Sequence, residues 1–470
     1  MDACDAQSAP APRPFVEEQR QQERERLLRG REERGIDQRG PEVPKARPTR
    51  LPSAETPCFP IDRILLQGES IERFHWSLSH IAGNDGSDPP LGRCLGAEGV
   101  DIVVSRVQQS ILERGYLTTR VLAGPQDLRT GALILTLVPG RIATIRQNRG
   151  DLRTMHLRNA IPARSGDLLE LRDIEQGLEN LKRLPTVDAD VQVEPSTATD
   201  ARPGDSDLLV TYTRKFPLRT TLSLDDTGTR ATGKTQSALT VAWDGPLGLN
   251  DLAYVSINRD VFNHHGRGTG GRTAHYAIPF GYGLLAFTAS ESRYHQTVAG
   301  LDEDYLYAGS TRNAEVRWSQ LIHRSRSRKT TVALRGWRRA TASFIDDTEI
   351  EVQRRVVGGW EASLNQREFL GDATLDATVA YRRGTGVFGA IAAPEEAFGD
   401  GTSRLKLYTS DVALNAPFRI AGQKLRYTAS WRALMVRIAP SLEAWARGNS
   451  LLRRCRLVGD DDARAVMVAA

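Results

Sequence analysis

The sequence predicts two α+β units followed by an incomplete antiparallel transmembrane β-barrel, and three observations carry that prediction. The first is a series of dyad-patterned segments running from about Leu218 to Trp431. Leu375, Ala377, Val379 and Tyr381 alternate with Thr374, Asp376, Thr378 and Arg382; Leu425, Tyr427, Ala429 and Trp431 alternate with Arg426, Thr428, Ser430 and Arg432. Successive strand side chains point to opposite faces, so each segment has one apolar and one polar face, as a strand between lipid and a wet lumen requires. The second is an element order, β-α-α-β-β, that occurs twice upstream of the array. The third is that no apolar run reaches the roughly 18 residues of a membrane-spanning helix, which excludes a helical membrane protein and leaves a barrel open.

Composition agrees with this. The 470 residues are 40% hydrophobic, and a mean hydropathy of -0.41 is what a barrel gives when half of every strand faces water. The 63 Lys+Arg and 58 Asp+Glu residues balance to +5 and are mixed along the chain. Nucleic acid is therefore not an expected partner, because its electrostatic footprint is a concentrated basic stripe.

Residues 1–57 read as a charged N-terminal segment and a linker. The start lacks the basic and apolar regions of a secretory signal, yet Ala6, Ser8, Ala9 and Ala11 resemble the small-residue stretch around a cleavage site, so the true start is expected upstream. From Phe15 to Gly35 the chain is nearly all Glu, Gln and Arg with Leu27 and Leu28. It reads either as a helix supported by Glu/Arg pairs at i,i+4 or as a disordered charged leader, since it has no wide apolar face. Pro41 to Pro57 is expected to be extended and free of packed structure.

The first α+β unit, residues 58–139, begins with a strand marked by Ile61, Ile64 and Leu66 and a short helix at Phe74 and Trp76. A second helix carries Val103, Val107 and Ile111 at i,i+4 spacing and ends at Gly115, followed by strands Leu117–Leu122 and Ala132–Val138. The second unit, residues 140–214, repeats the plan. It has a strand near Ile142–Arg146, a short helix near Met155 and a helix with Leu171, Ile174, Leu178 and Leu181 on one face, stopped by Pro185. Strands Ala189–Val193 and Asp207–Tyr212 close it. Residues 215–433 form the partial barrel, about eleven strands.

Cys58 and Cys94 bracket the first strand and helix of the first unit. A disulfide between them would indicate an oxidising space such as the periplasm; a zinc site or two buried free thiols are the alternatives. Cys4 and Cys455 have no obvious partner.

Two nucleotide-site motifs occur in the wrong setting. Gly228-Thr-Arg-Ala-Thr-Gly233-Lys234-Thr235 satisfies the P-loop expression, but that loop works only between a buried strand and a helix whose N-terminus holds phosphate. Here both flanks alternate, so the segment reads as a β-hairpin. Gly266, Gly268 and Gly271 match GxGxxG but precede the strand Thr273–Phe280, and read as a glycine-rich loop between strands. His264 and His265 adjoin that loop and read as exposed. No triad or paired-carboxylate arrangement is recognisable, and neither a metal, a cofactor nor an enzymatic activity is expected. Trp243, Tyr254, Trp318, Trp337, Trp360 and Trp431 read either as interfacial girdles or as ordinary strand packing.

The stretches Arg114 to Val121 (RGYLTTRV), Leu171 to Pro185 (LRDIEQGLENLKRLP), Asp225 to Lys234 (DDTGTRATGK) and Gly245 to Leu252 (GPLGLNDL) resemble the haemolysin secretion/activation proteins, the outer-membrane transporters of two-partner secretion. The resemblance covers about Cys58 to Arg432. It implies two periplasmic POTRA domains for the β-α-α-β-β units, a barrel of about sixteen strands in outer-membrane lipid, and an N-terminal helix able to sit in the pore, for which Phe15–Gly35 is the candidate. It implies as partner a secreted exoprotein, a haemolysin or adhesin with an N-terminal secretion domain, met by the first POTRA domain and translocated to the cell surface by a monomeric transporter. Tyr116, Leu117, Thr118, Thr119, Arg120 and Val121 are the candidate partner-binding residues. An outer-membrane protein assembly factor is the alternative reading and a P-loop NTPase a further one. Since the outer membrane offers no ATP, outward movement would be driven by folding of the cargo outside.

Family members continue past the position of Arg432 into a pore-inserted loop with a Val-Arg-Gly signature and about five more strands. Residues 434–470 here show no sustained dyad pattern; a frameshifted or truncated reading frame, which could cost the function, fits this better than the alternative, a divergent C-terminal cap. Sequencing the genomic DNA downstream tests it: a +1 or -1 frame should restore a Val-Arg-Gly motif and further alternating strands, and the idea fails if neither does.

Overall fold

A computed structural model of the chain describes residues 14–33, 35–38, 50–83, 85–149, 154–262, 266–300, 303–398, 402–420, 423–437, 456–460 and 464–468. It divides into two compact units. One contains helix α1 (Pro14–Glu32), Arg183–Thr186 and the chain from Lys215 onward; the other spans Ile36–Lys182 and Val187–Arg214.

The second of these is built from two copies of one topology. In the first copy, β1 (Phe59–Ile61) runs directly into β2 (Arg63–Gly68) and pairs with β3 (Arg93–Leu95). Two short 3-10 turns, Ile71–Arg73 and His75–His80, stand where a first helix is expected. Helix α2 (Ala97–Glu113) follows, then β4 (Arg120–Leu122) and β5 (Ala132–Val138), in a sheet ordered β2-β5-β4 with β2 parallel and β4 antiparallel to β5. The i,i+4 stripe Val103, Val107 and Ile111 is fully buried with Phe74, Leu95, Leu133 and Leu135. Each such side chain contributes about 1.5–3 kcal/mol, which makes this stripe the anchor of the unit.

The α2 N-terminus is capped from a distance. Its N-cap, Gly96, has no side chain to offer; the Glu55 carboxylate instead accepts the N–H groups of Gly96 at 2.7 Å and Glu98 at 2.9 Å. A carboxylate there satisfies orphan donors and complements the helix dipole. Leu51 is buried in the same core, and its N–H donates to Asp88 Oδ2 at 2.8 Å. The expectation of a linker free of packed structure through Pro57 is therefore corrected for Leu51–Pro57, and residues 39–49 lie outside the described residues. Cys58 and Cys94 form a disulfide, with Cα atoms 5.2 Å apart, that ties the residue before β1 to β3.

The second copy contains β6 (Ile142–Arg149), α3 (Thr154–Ala160), α4 (Leu171–Lys182), β7 (Val187–Pro195) and β8 (Ser206–Arg214). Its sheet order β6-β8-β7, again with one parallel and one antiparallel pair, matches the first. α3 and α4 approach closely at Gly177, where a β-carbon would sit 2.7 Å from Ile161 Cγ1. The copies are joined by two hydrogen bonds from the backbone: Leu171 N–H donates to Gly115 O at 2.8 Å, and Gly140 N–H donates to the Thr119 side-chain Oγ1 at 3.0 Å.

Strands β9 (Leu218–Asp225), β10 (Gln236–Asp244) and β11 (Leu252–Asp260) begin a single antiparallel sheet. Longer strands continue it: β12 (Arg267–Phe280), β13 (Gly283–Ala299), β14 (Asp304–Arg324) and β15 (Arg328–Ile345). The two-residue β16 (Thr348–Glu349) pairs only with β15, after which come β17 (Arg355–Leu370), β18 (Ala373–Thr385), β19 (Lys406–Ile420) and β20 (Gln423–Arg437). The sheet is open, with β9 at one edge. A hairpin of β21 (Arg456–Asp460) and β22 (Arg464–Val468) adjoins β20 at the other, Ser430 facing Arg464 in parallel register. One face carries exposed Leu222, Val241, Val255, Phe287, Trp318 and Leu334; the other buries Thr240, Ser256, Thr273 and Ser290. A lipid-facing surface and a polar lumen are what this division gives.

Two expectations change here. Gly268 and Gly271 lie within β12, so the glycine-rich segment is strand rather than loop. Tyr254 and Trp337 are buried on the lumenal face, whereas Trp243, Trp318 and Trp360 are exposed on the outer one; only the latter group suits an interfacial girdle. His264 and His265 lie outside the described residues.

Asp88 links Leu51, Arg93 and Arg106 across the first copy. Burial opposes its ionisation, but the Leu51 N–H and the two guanidinium groups outweigh this and bring the carboxyl down to about 2. A depressed folded value contributes stability that is complete above the unfolded value near 4 and disappears as pH falls through 2, on the order of 2 kcal/mol. Asp88→Asn is expected to lower the urea midpoint at pH 6, and the gap between variant and parent is expected to close by pH 2.

Candidate functional site

The polar lumenal face is not empty, because α1 lies against it. The helix has no apolar stripe, and its charges meet one transverse row of the sheet. In register across the strands stand Arg219, Ala242, Tyr254, His275, Thr288, Glu315 and Trp337, from β9 to β15. All face the lumen at one level, since directly paired residues share a face.

The last turn of α1 and the residue after it read along this row. Arg29 Nη2 lies 2.8 Å from Glu315 Oε1 and 3.2 Å from Thr288 Oγ1. Glu32 Oε2 lies 2.6 Å from Arg219 Nη1, and Glu33 Oε1 lies 3.0 Å from His275 Nε2. Arg31 Nη2 reaches one level further, donating to Thr240 Oγ1 at 3.3 Å. Tyr254 stacks on His275 with ring centroids 4.8 Å apart, which fixes the imidazole beneath Glu33. Toward the start of the helix, Gln21 is buried, and its Oε1 lies 3.4 Å from where a Gly271 β-carbon would be. A side chain at Gly271 would push the helix off the wall.

The network continues in both directions along the sheet. Arg219 also pairs with Asp244 at 3.0 Å, and fully buried Asp244 accepts Thr186 N–H at 3.1 Å and Thr186 Oγ1–H at 2.8 Å. On the other side Glu315 pairs with Arg335 at 2.6 Å, Arg335 with Glu361 at 3.4 Å, and Glu361 with Arg382 at 2.6 Å. Beside α1 a cavity of ≈ 800 Å³ remains, lined among others by Arg29, Glu33, Glu315, Arg335 and Trp337. Alternating charges along the lumen wall complement the charges of the helix laid against them.

The residues singled out in sequence fall elsewhere. Thr119 and Val121 are buried, and Tyr116 packs edge-on against Phe74 with centroids 4.9 Å apart. Burial pushes the Tyr116 hydroxyl up, with Glu170 adding to it. Leu117 and Thr118 are half-buried, and Arg120 is the one exposed member of the six. The strand expected from Leu117 is correspondingly shorter, Arg120–Leu122, because Tyr116–Thr119 turn into the junction between the two copies. Gly228–Thr235 joins β9 to β10 as a hairpin, with Gly228 N–H donating to Lys234 O at 3.0 Å and Lys234 Nζ 3.4 Å from Asp226. A strand, not a helix, follows it, so the P-loop phosphate cradle is not built. The α1–wall contacts themselves escaped sequence reasoning; the only available signal was an unbroken Glu/Arg segment without an apolar face.

A lipid-faced antiparallel sheet with a charged helix along its lumen, together with a tandem of β-α-α-β-β units, defines the class: an outer-membrane transporter with periplasmic POTRA domains. Residues 204–436 match the haemolysin secretion/activation protein family ShlB/FhaC/HecB, residues 59–140 the ShlB-type POTRA domain and residues 141–195 a further POTRA domain. The chain is 36% identical over 410 residues to outer membrane transporter CdiB-2 of Burkholderia pseudomallei (strain 1026b), covering 83% of this chain and 68% of that one. It is 27% identical over 390 residues to outer membrane transporter CdiB of Escherichia coli, covering 82% and 63%. Among solved structures, CdiB from Acinetobacter baumannii superposes with a TM-score of 0.77 at 28% identity, covering 90% of this chain and 77% of that one. The chain belongs to the ShlB/FhaC/HecB family of haemolysin secretion/activation proteins, the outer-membrane transporters of two-partner secretion. It spans about two thirds of the length of the curated relatives it matches.

Reversing Arg29 to Glu sets two carboxylates against each other at Glu315 and is expected to release α1. Ion current through the protein in planar bilayers should rise severalfold, and Glu315→Arg added to Arg29→Glu should return it toward the parent level.

Proposed function

We propose that this chain captures a secreted exoprotein in the periplasm through its first POTRA domain and conducts it to the cell surface along the lumen that α1 occupies. The observation that carries this reading is the α1–wall contact set, in which Arg29, Glu32 and Glu33 meet Glu315, Arg219 and His275 through ion pairs and hydrogen bonds. Such contacts are exchangeable for those of a passing polypeptide, because an unfolded chain offers the same N–H, C=O and charged groups. The domain assignment follows the same reading, with residues 58–139 and 140–214 as the two POTRA domains and 215–433 as the membrane sheet.

Capture uses the edge of the first sheet. β4 is an edge strand of only three residues, with Arg120 and Leu122 exposed and Val121 turned into the core. An extended segment can add as a further strand there by displacing the Gln108 amide, which accepts Val121 N–H at 2.8 Å and donates to Thr119 O at 2.9 Å, with its side chains meeting Leu122. Tyr116, Leu117, Thr118 and Thr119 then support the strand by packing rather than touching the cargo. The partner is an exoprotein with an N-terminal two-partner secretion domain, and the transporter works as a monomer in outer-membrane lipid, without nucleic acid, metal or cofactor.

Leu122→Asp puts a charge on the exposed side chain that the added strand would meet, and leaves the β4–β5 ladder and the core unchanged. Secretion of the cognate exoprotein into the medium is expected to fall at least tenfold while the transporter remains in the outer membrane at parent level; undiminished secretion would remove β4 as the capture edge.

A further inference from the structure

The outer face of the sheet carries one polar feature that the transport reading does not use. Along β13, Phe287 and Ala289 are exposed on the lipid side while Thr288 and Ser290 are buried in the lumen, so the dyad turns Glu291 outward. Its paired neighbours at that level are Arg272 on β12 and Arg312 on β14, and Arg293 stands two residues further along β13. All three guanidinium groups reach the one carboxylate: Arg272 by a short contact, Arg293 Nη2 at 2.7 Å and Arg312 Nε at 3.1 Å. The Glu291 side chain is 9% exposed beneath them, whereas those of Arg272, Arg293 and Arg312 are 71%, 65% and 67% exposed. One carboxylate therefore orders three arginines and leaves two positive charges uncompensated, with further N–H donors directed outward.

The height of this cluster identifies what it meets. The turns after β12, β14, β17 and β19 are the tightest of the sheet, and on the opposite side the connections after β9, β15 and β18 are the longest; in outer-membrane barrels the short turns are periplasmic and the long loops face the cell exterior. Arg272 lies eight residues from Phe280 at the short-turn end of β12. At about 3.3 Å per residue and a barrel tilt this is roughly 20 Å, near the upper edge of the apolar band of about 25 Å. Below it the outer face is apolar, with Phe287, Val316 and Trp318 exposed. A triple-arginine cluster in hydrocarbon would be prohibitively costly, but at the headgroup level of the outer leaflet it faces anionic lipid. A groove of ≈ 650 Å³ opens beside it, lined by Arg293, His295, Ser310 and Arg312 with Ala308 and Phe344 as an apolar wall.

We propose that Arg272, Arg293 and Arg312, ordered around Glu291, form a docking site for a phosphate group of outer-leaflet glycolipid. Guanidinium forks pair with phosphate oxygens bidentately, and three of them surrounding one point match a tetrahedral dianion better than a single lipid carboxylate. The neighbouring groove accepts the sugar, and the apolar rows below accept the acyl chains. Bound lipid fixes β12, β13 and β14 from outside at a level one strand-pair step above the row that α1 grips from inside.

The full chain, purified in detergent and titrated with bis-phosphorylated lipid A, tests this by native mass spectrometry. The Arg293→Gln/Arg312→Gln variant is expected to bind at least tenfold less lipid A than the parent, and the difference should vanish with lipid A stripped of its phosphates. Equal binding by parent and variant overturns the proposal, and a parent preference for phosphatidylglycerol over lipid A overturns the assignment to glycolipid. Glu291→Gln keeps all three cations and removes their counter-charge, so folded protein of this variant should bind lipid A more tightly. Should the double variant not fold, weaker binding by Glu291→Gln is the result that overturns the site.

Discussion

Everything in the membrane unit depends on one constraint: in hydrocarbon, each backbone N–H and C=O must be paired within the protein. Strands satisfy it only through their neighbours, so β9 to β20 form one continuous antiparallel ladder. Pairing fixes register, and register fixes which residues share a face. A shift of β13 by one position against β12 would move Thr288 into lipid and Ala289 into the lumen while His275 stayed on the lumenal face. The row that holds α1, and the arginine cluster on the opposite face, are both consequences of the same ladder.

That dependence explains what could be read from sequence. The alternating segments are legible because burial of one face in lipid imposes a period of two on every strand, whatever its partner. The helices α2 and α4 are legible for the same reason at a period near 3.6, as Val103, Val107 and Ile111 illustrate. Helix α1 is ambiguous in sequence because its partner is a polar wall more than 180 residues away in the chain, so no apolar stripe records the contact. Leu51 and Glu55 are hidden differently: a single buried leucine and a carboxylate capping a helix forty residues downstream leave no pattern in a Pro-rich stretch. Leu117–Thr119 read as strand because their composition suits one, but Thr119 is taken up by Gly140 at the junction between copies, which no local signal announces.

The repeat itself has a physical reading. Each β-α-α-β-β copy has a small core and a three-stranded sheet with two open edges. The first adds a disulfide, the Asp88 hub and the Glu55 cap. The second instead buries a polar cluster along α4, with Arg172 and Glu175 paired at 2.8 Å and Asn180 donating to Ala160 O at 2.7 Å. Both solutions compensate for the limited apolar area that a domain of this size can bury.

The α1 contacts occupy an energetic middle ground that suits a removable element. Apolar packing along a 19-residue helix would be worth many kilocalories per mole and would be insensitive to what enters the pore. Exposed ion pairs contribute little, roughly 0 to 1 kcal/mol each. The pairs here are between those limits: Glu32 is buried to 2% exposure against an Arg219 that also serves Asp244, while Arg29 remains 35% exposed. Removing α1 leaves Arg219 paired with Asp244 and Glu315 with Arg335, whereas buried Arg183 loses Glu33, 4.0 Å away. The cost of departure falls on Arg183 and on Glu32, Glu33 and Arg29, the last three of which regain water as they leave. A lumen built this way holds α1 by specificity of register more than by strength, and the strands around it stay paired through their own ladder whatever lies against them.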